Sequence, residues 1–278
     1  MKPTPLRFSG RFDRTTGHAT QGSALRLAAW GWCGALVGTL LALILFAPAR
    51  WLASAVQDNT GQRIVLAEPR GTVWQGSARL LLTGGAGSQD RAALPGRVQW
   101  TLHPSLSGLR LSLLAQCCTA EALQFHATPL PGGLRLVLAD AQSQWPAGLL
   151  AGLGTPWNTL QPSGQLRLQS QGLSAQWNAG RLQLAGSAVL EARDVSSRLS
   201  TLRPMGSYRL TLRGGSTVGL TLETLEGSLQ LTGSGQWVGS RLRFAGEARA
   251  APEREAALAN FLNIIGRRNG ARSIITLG

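Results

Sequence analysis

Two patterns divide this 278-residue chain. Over 27–49, LAAWGWCGALVGTLLALILFAPA, no side chain is charged, and beyond that stretch the dominant order is period two. Val98, Trp100 and Leu102 alternate with Gln99 and Thr101; Leu166 and Leu168 with Gln165, Arg167 and Gln169; Tyr208, Leu210 and Leu212 with Arg209, Thr211 and Arg213. Successive side chains of a strand point to opposite faces, so this alternation predicts half-buried strands. Runs at 109–113, 134–138, 182–184, 218–222, 229–231 and 242–244 predict more, with Gly84-Gly85, Gly132-Gly133, Gly214-Gly215 and Gly233-Ser234-Gly235 as the separating turns. The spacing reads as hairpins of an antiparallel meander, with one Leu-rich dry face and one face of Arg, Gln, Ser and Thr. The dry face must be covered, folded onto itself or occupied by a ligand.

Three helical pieces interrupt the sheet. Residues 49–58 predict a short helix before Asn59-Thr60-Gly61, and 146–153 a short helix or turn. The clearest is 252–265, with Pro252 first, Glu253 and Glu255 in the first turn, and a stripe of Leu258, Phe261, Leu262 and Ile265. Gly266 and Arg267-Arg268 follow, at the negative end of the helix dipole. The stripe is expected to pack on the core. Asn269-Gly270 then turns the chain into a last strand over 272–277. A faint repeat supports the all-β body: 177–186, WNAGRLQLAG, matches 237–246, WVGSRLRFAG, at most positions, as a stackable hairpin unit would.

A bilayer core needs about 20 apolar residues in a helix, so 27–49 is long enough to span. Lys2, Arg7, Arg11, Arg14 and Arg26 precede it against Asp13, a bias that keeps the N-terminus in the cytoplasm. Trp30 and Trp32 near one end and Trp51 at the other read as interface anchors. Ala47-Pro48-Ala49 has the small-x-small form of a signal-peptide cleavage site, but the apolar run exceeds the ~7–15 residues of a cleaved signal. The expectation is an uncleaved anchor, dividing the chain into a basic tail (1–26), a transmembrane segment (27–49) and a β-rich domain (50–278) beyond the membrane. Nucleotide-dependent cytosolic chemistry is not expected on that side, where such cofactors are scarce.

The net charge of +14 comes from 27 basic residues against 13 acidic ones, and every basic residue except Lys2 is Arg. The arginines are spread almost evenly along the sequence, with no basic helix or aromatic RNA-binding signature, so nucleic acid is not an expected partner. A weak attraction to acidic lipid headgroups or acidic partners is. Cys33 lies in the apolar run, and the adjacent Cys117 and Cys118 lack metal or redox spacing; in an oxidising compartment they could bond to each other or between chains. His18, His103 and His126 have no ligand-spaced neighbours, and Asp140, Glu191, Asp194, Glu223, Glu226 and Glu247 are isolated acids. With neither a Gly-x-Ser-x-Gly elbow nor a phosphate-binding loop, the sequence predicts no enzyme, no cofactor and no metal.

Several segments in order carry a family resemblance: Ala47-Pro48-Ala49-Arg50-Trp51-Leu52 after the apolar run; Gly71-Thr72-Val73-Trp74-Gln75-Gly76-Ser77-Ala78 ahead of a strand; Leu153-Gly154-Thr155-Pro156-Trp157 before Gly164-Gln165-Leu166; and 258–268, ending Asn263-Ile264-Ile265-Gly266-Arg267-Arg268. From the apolar run onward the chain resembles type II secretion system protein N, also called general secretion pathway protein N. The tail and the Cys117-Cys118 pair depart from that pattern. The resemblance implies a single-pass protein of the bacterial inner membrane with its bulk in the periplasm. It also implies an accessory role in exporting folded proteins across the outer membrane, through contacts with other inner-membrane or periplasmic secretion subunits. Within the motif, Gly71, Thr72, Val73, Trp74 and Gly76 are expected to be structural, with Trp74 packing at the start of the first long strand. The alternative is an AsmA-like periplasmic β-groove that handles lipid along the dry face. A groove filled by its own side chains and by the helix at 252–265 favours scaffolding; a groove open along its length favours lipid.

Overall fold

The computed structural model describes the backbone of residues 21–178, 181–239 and 241–278, with side chains from Trp32 onward except that of Cys33. The chain divides into two compact units, the first ending at Leu45 and the second running from Phe46 to Gly278. Helix α1, Gln21–Leu45, belongs to the first. Most of the basic tail and the Trp30 side chain lie outside the described residues. Among the described residues no helix is long and apolar enough to cross a membrane; the described side chains of α1 begin at Trp32.

The second unit opens with α2, Ala49–Asn59, and is then almost wholly sheet. Its first half contains β1 (Ile64–Gly71), β2 (Gln75–Thr83), β3 (Arg91–Ala93), β4 (Val98–Ser105), β5 (Gly108–Ala115), β6 (Leu123–Leu130), β7 (Gly133–Leu138) and β8 (Ala141–Pro146). A 3-10 turn at Ala147–Leu153 and the single-turn helix α3, Trp157–Leu160, separate these from the second half. There follow β9 (Ser163–Asn178), β10 (Arg181–Ser196), β11 (Gly206–Arg213), β12 (Gly219–Gly227), β13 (Leu229–Val238) and β14 (Arg241–Ala250), then helix α4 (Glu255–Ile265), β15 (Arg267–Asn269) and β16 (Arg272–Leu277). One 16-stranded sheet runs β1-β2-β4-β5-β6-β7-β9-β10-β11-β12-β13-β14-β16-β15, with β3 beside β2 and β8 beside β9. Among the described residues every strand pairing is antiparallel, as the hairpin spacing predicts.

The differences from the sequence reading have identifiable physical causes. Strands β9 and β10 have 16 residues each, although only short runs within them alternate cleanly. Their register shifts between Ala185 and Ser187, and a bulge moves the alternation to the other face while the strand continues. Strand β1 carries no clean period because Pro69 sits in an irregularity between Ala67 and Arg70. Gly233-Ser234-Gly235 is not a turn but the middle of β13. The Phe244 ring of β14 lies over that strand: a Cβ on Gly233 would run into Phe244 Cζ, and one on Gly235 would come within 3.0 Å of Phe244 Cδ2. Finally, α4 starts at Glu255 rather than Pro252, because Glu253 takes a left-handed backbone (φ 67°) that no helix accepts. Arg267 and Arg268 do not cap its end. Gly266 is extended, and both arginines belong to β15.

Apolar side chains gather on one side of the sheet in three clusters. Ala49 and Leu52 of α2 sit with Ala78, Trp100, Leu102 and Leu111. Leu94, Val98, Ala115 and Cys118 pack with Trp145 and Leu149 near the 3-10 turn. The largest cluster joins Leu160, Met205, Tyr208, Leu229 and Ala248 to Leu258, Phe261 and Leu262 of α4. The expected stripe therefore caps the dry face, with Ile265 packed at its margin.

Candidate interaction site

The motif Gly71-Thr72-Val73-Trp74-Gln75-Gly76 forms the turn between β1 and β2. Gly71 has φ +88°, and a Cβ there would come 2.5 Å from the Gln75 carbonyl oxygen, so the turn needs glycine. Thr72 N–H donates to that carbonyl at 2.8 Å, and Gln75 N–H donates back to Thr72 Oγ1 at 3.1 Å. The Val73 carbonyl accepts from Trp100 Nε1 at 3.1 Å, while the Trp74 carbonyl accepts from Leu102 N–H at 2.6 Å. Gly76 makes room for the Trp100 ring, whose Cζ2 lies 2.5 Å from where a Cβ would stand. The fully buried indole is thus Trp100, 3% exposed, whereas Trp74 is half-buried in the turn. Val73 N–H also donates to the Ala47 carbonyl at 2.8 Å, and Pro48 bridges to Thr72, so the turn fastens the first residues of the body.

Of the other expected positions, Trp32 on α1 and Trp51 on α2 are both exposed and belong to different units. Cys117 and Cys118 form a vicinal disulfide, the first of the two pairings open to them. It lines a polar recess of about 440 Å³ with Gln142, Gln144 and Arg167, whose buried Nε has no hydrogen-bond partner among the described residues. The repeat pairs Trp177 with Leu182 across β9 and β10, and Trp237 with Leu242 across β13 and β14, so both copies are equivalent hairpin ends.

The dry face retains an apolar cavity of about 400 Å³, lined by leucines of β10 to β14 together with Tyr208, Phe244 and Phe261. Tyr208 is buried there, its hydroxyl without a hydrogen-bond partner among the described residues, and burial pushes its pKa up. The wet face carries a cross-strand ladder on β10, β11 and β12. Arg209 contacts Glu191 at 2.9 Å and Glu223 at 3.0 Å, and Arg193 reaches Glu191 at 2.7 Å. Hydrogen bonds from Arg193 and Arg209 hold the Glu191 carboxyl below its ordinary pKa, and those from Arg249 and Arg272 do the same for Glu247. The pairs Arg209–Glu191, Arg209–Glu223 and Arg272–Glu247 join neighbouring strands and steady their register, whereas Arg193 and Arg249 pair within their own strands. Among the described residues no group of three His, Cys, Asp or Glu could hold a metal ion. The body thus presents a long sheet, a helix packed into its apolar core and a locked turn.

Neither any curated protein nor any solved structure matches the chain significantly. The family model described as type II secretion system (T2SS), protein N, matches residues 62–275, which include every strand from β1 to β15 and most of β16. The chain belongs to the type II secretion system protein N family.

Proposed function

We propose that this type II secretion component is a single-pass inner-membrane scaffold. The uncharged stretch at 27–49 anchors it, its basic tail lies in the cytoplasm, and the body from residue 50 onward works in the periplasm. There it contacts other inner-membrane or periplasmic subunits of the export machine and carries out no reaction. The anchor is supported by the length of the uncharged run, the helix over Gln21–Leu45 and the flanking Trp30, Trp32 and Trp51.

The observation that carries the scaffold reading is the filled base of the dry face. Leu258 and Leu262 of α4 are fully buried against Met205, Leu229 and Ala248, so α4 covers the sheet there, and the apolar cavity beside it is lined from β9 to β14 rather than along the whole sheet. The AsmA-like alternative needs a groove open along its length, and the family match favours secretion instead. Crosslinking in native membranes followed by purification of the full chain tests the proposal. Recovery of secretion inner-membrane or periplasmic subunits is the expected result. Recovery of acyl lipid alone, with no secretion subunit, would overturn it.

A further inference from the structure

Although arginines are scattered along the sequence, the fold sorts charge in space. The pairings Ser105 with Gly108, Leu130 with Gly133, Asn178 with Arg181, Arg213 with Gly219, and Val238 with Arg241 put five hairpin turns on one margin of the sheet. The strand segments nearest that margin, 102–111, 126–136, 172–187, 211–222, 233–245 and 274–278, contain no Asp or Glu. They do contain Arg110, Arg135, Arg181, Arg213, Arg241 and Arg243, all exposed and, among the described residues, none in an ion pair. The acids Glu191, Glu223 and Glu247 and their partners Arg193, Arg209, Arg249 and Arg272 all lie outside those segments.

The same turn margin exposes apolar side chains. Leu106 stands fully in solvent at the β4–β5 turn, and Val238 is exposed at the β13–β14 turn. Leu134, Trp177 and Leu182 pair in a row across β7, β9 and β10, each more than 40% exposed. Unpaired arginines interleaved with exposed Leu, Val and Trp match the chemistry of an anionic bilayer surface, where cations meet headgroup phosphates and indoles sit at the interface.

Covalent continuity points the same way. The β1–β2 turn faces the turn margin and reaches the level of Leu102 on β4, and it is this turn that binds Ala47 and Pro48, near the end of the uncharged run and at the start of the body. We propose that the hairpin-turn margin of the sheet rests on an anionic lipid surface, so that the body is held against the membrane and presents its opposite, α4-bearing margin to partner subunits. The charge and the exposed apolar side chains belong to the body alone; which membrane the body meets rests on the anchor proposed above.

The test uses the full chain in lipid nanodiscs, in a Cys33→Ala background. An environment-sensitive fluorophore is placed at Leu106→Cys or Leu182→Cys, at Glu253→Cys on the opposite margin, and at Gly38→Cys in α1. With phosphatidylglycerol and a spin-labelled lipid as quencher, the Leu106 and Leu182 probes should be quenched several-fold more than the Glu253 probe. The difference should shrink in phosphatidylcholine and in the triple variant Arg135→Gln, Arg181→Gln, Arg241→Gln. Leu106 lies in a turn and bears on no packing, so its variant remains informative if Leu182→Cys misfolds. Unquenched turn-margin probes, or equal quenching in both lipids, would overturn the inference. The Gly38 probe reports the anchor separately, so failure of that reading is distinguishable.

Discussion

Leu262 tests whether α4 is a fixed part of the core or a lid that opens. It is completely buried against Met205, Leu229 and Leu258, over strands whose hydrogen bonds stop them from closing into a void. Leu262→Ala therefore leaves most of its volume empty, and the upper part of the usual range applies, about 3–5 kcal/mol. For a body of this size each kcal/mol lowers the midpoint of unfolding by roughly 2–4 °C, so a fall of about 6–20 °C is expected. Ile264, on the same helix but 45% exposed, is the internal control, and Ile264→Ala should change stability by no more than about 0.5 kcal/mol. The assay is thermal unfolding of the full chain followed by near-ultraviolet circular dichroism. The harsher double change of Phe261 and Leu262 to Asp should unfold the body. If Leu262→Ala melts like Ile264→Ala, or the double Asp variant stays folded and loses a co-purified lipid, α4 is a lid on a ligand site and the scaffold reasoning fails.

Trp100→Ala should cost about 3–5 kcal/mol and Trp74→Ala distinctly less, because only the first indole is fully buried; chemical denaturation of both variants decides, and the reverse order would refute the assignment. Gly233→Ala should destabilise by about 1–3 kcal/mol through collision with the Phe244 ring, and adding Phe244→Leu should restore part of the loss; no rescue would show that another contact is responsible. The lowered pKa values of Glu191 and Glu247 contribute stability that is complete above about pH 4.5 and lost as pH falls through their lowered values. Acid unfolding of Glu191→Gln should accordingly show a shallower pH dependence, and an unchanged profile would remove the ladder from the account. A reporter active only in the periplasm, fused after Gly278, should be active, and the mature chain should keep its first residues; an N-terminus at Arg50 would refute the uncleaved anchor.

Local pattern determined much of this protein. Alternation at 98–102, 166–168 and 208–212 placed strands because a strand half-buried in a sheet must alternate, and the Leu258, Phe261, Leu262 stripe marked a helix packed on one face. The order of segments around Gly71–Gly76 and 258–268 carried the family as well. Other features have no local signature, since they depend on what another strand brings near. The glycines of β13 resemble a turn until Phe244 from β14 is laid over them, and Trp74 looks like the buried indole of its motif until Trp100 arrives from β4 to take that place. Arginine spacing is nearly uniform along the chain. Only the antiparallel pairing, which sends alternate turns to the same margin, gathers Arg110, Arg135, Arg181, Arg213, Arg241 and Arg243 on segments that hold no acid.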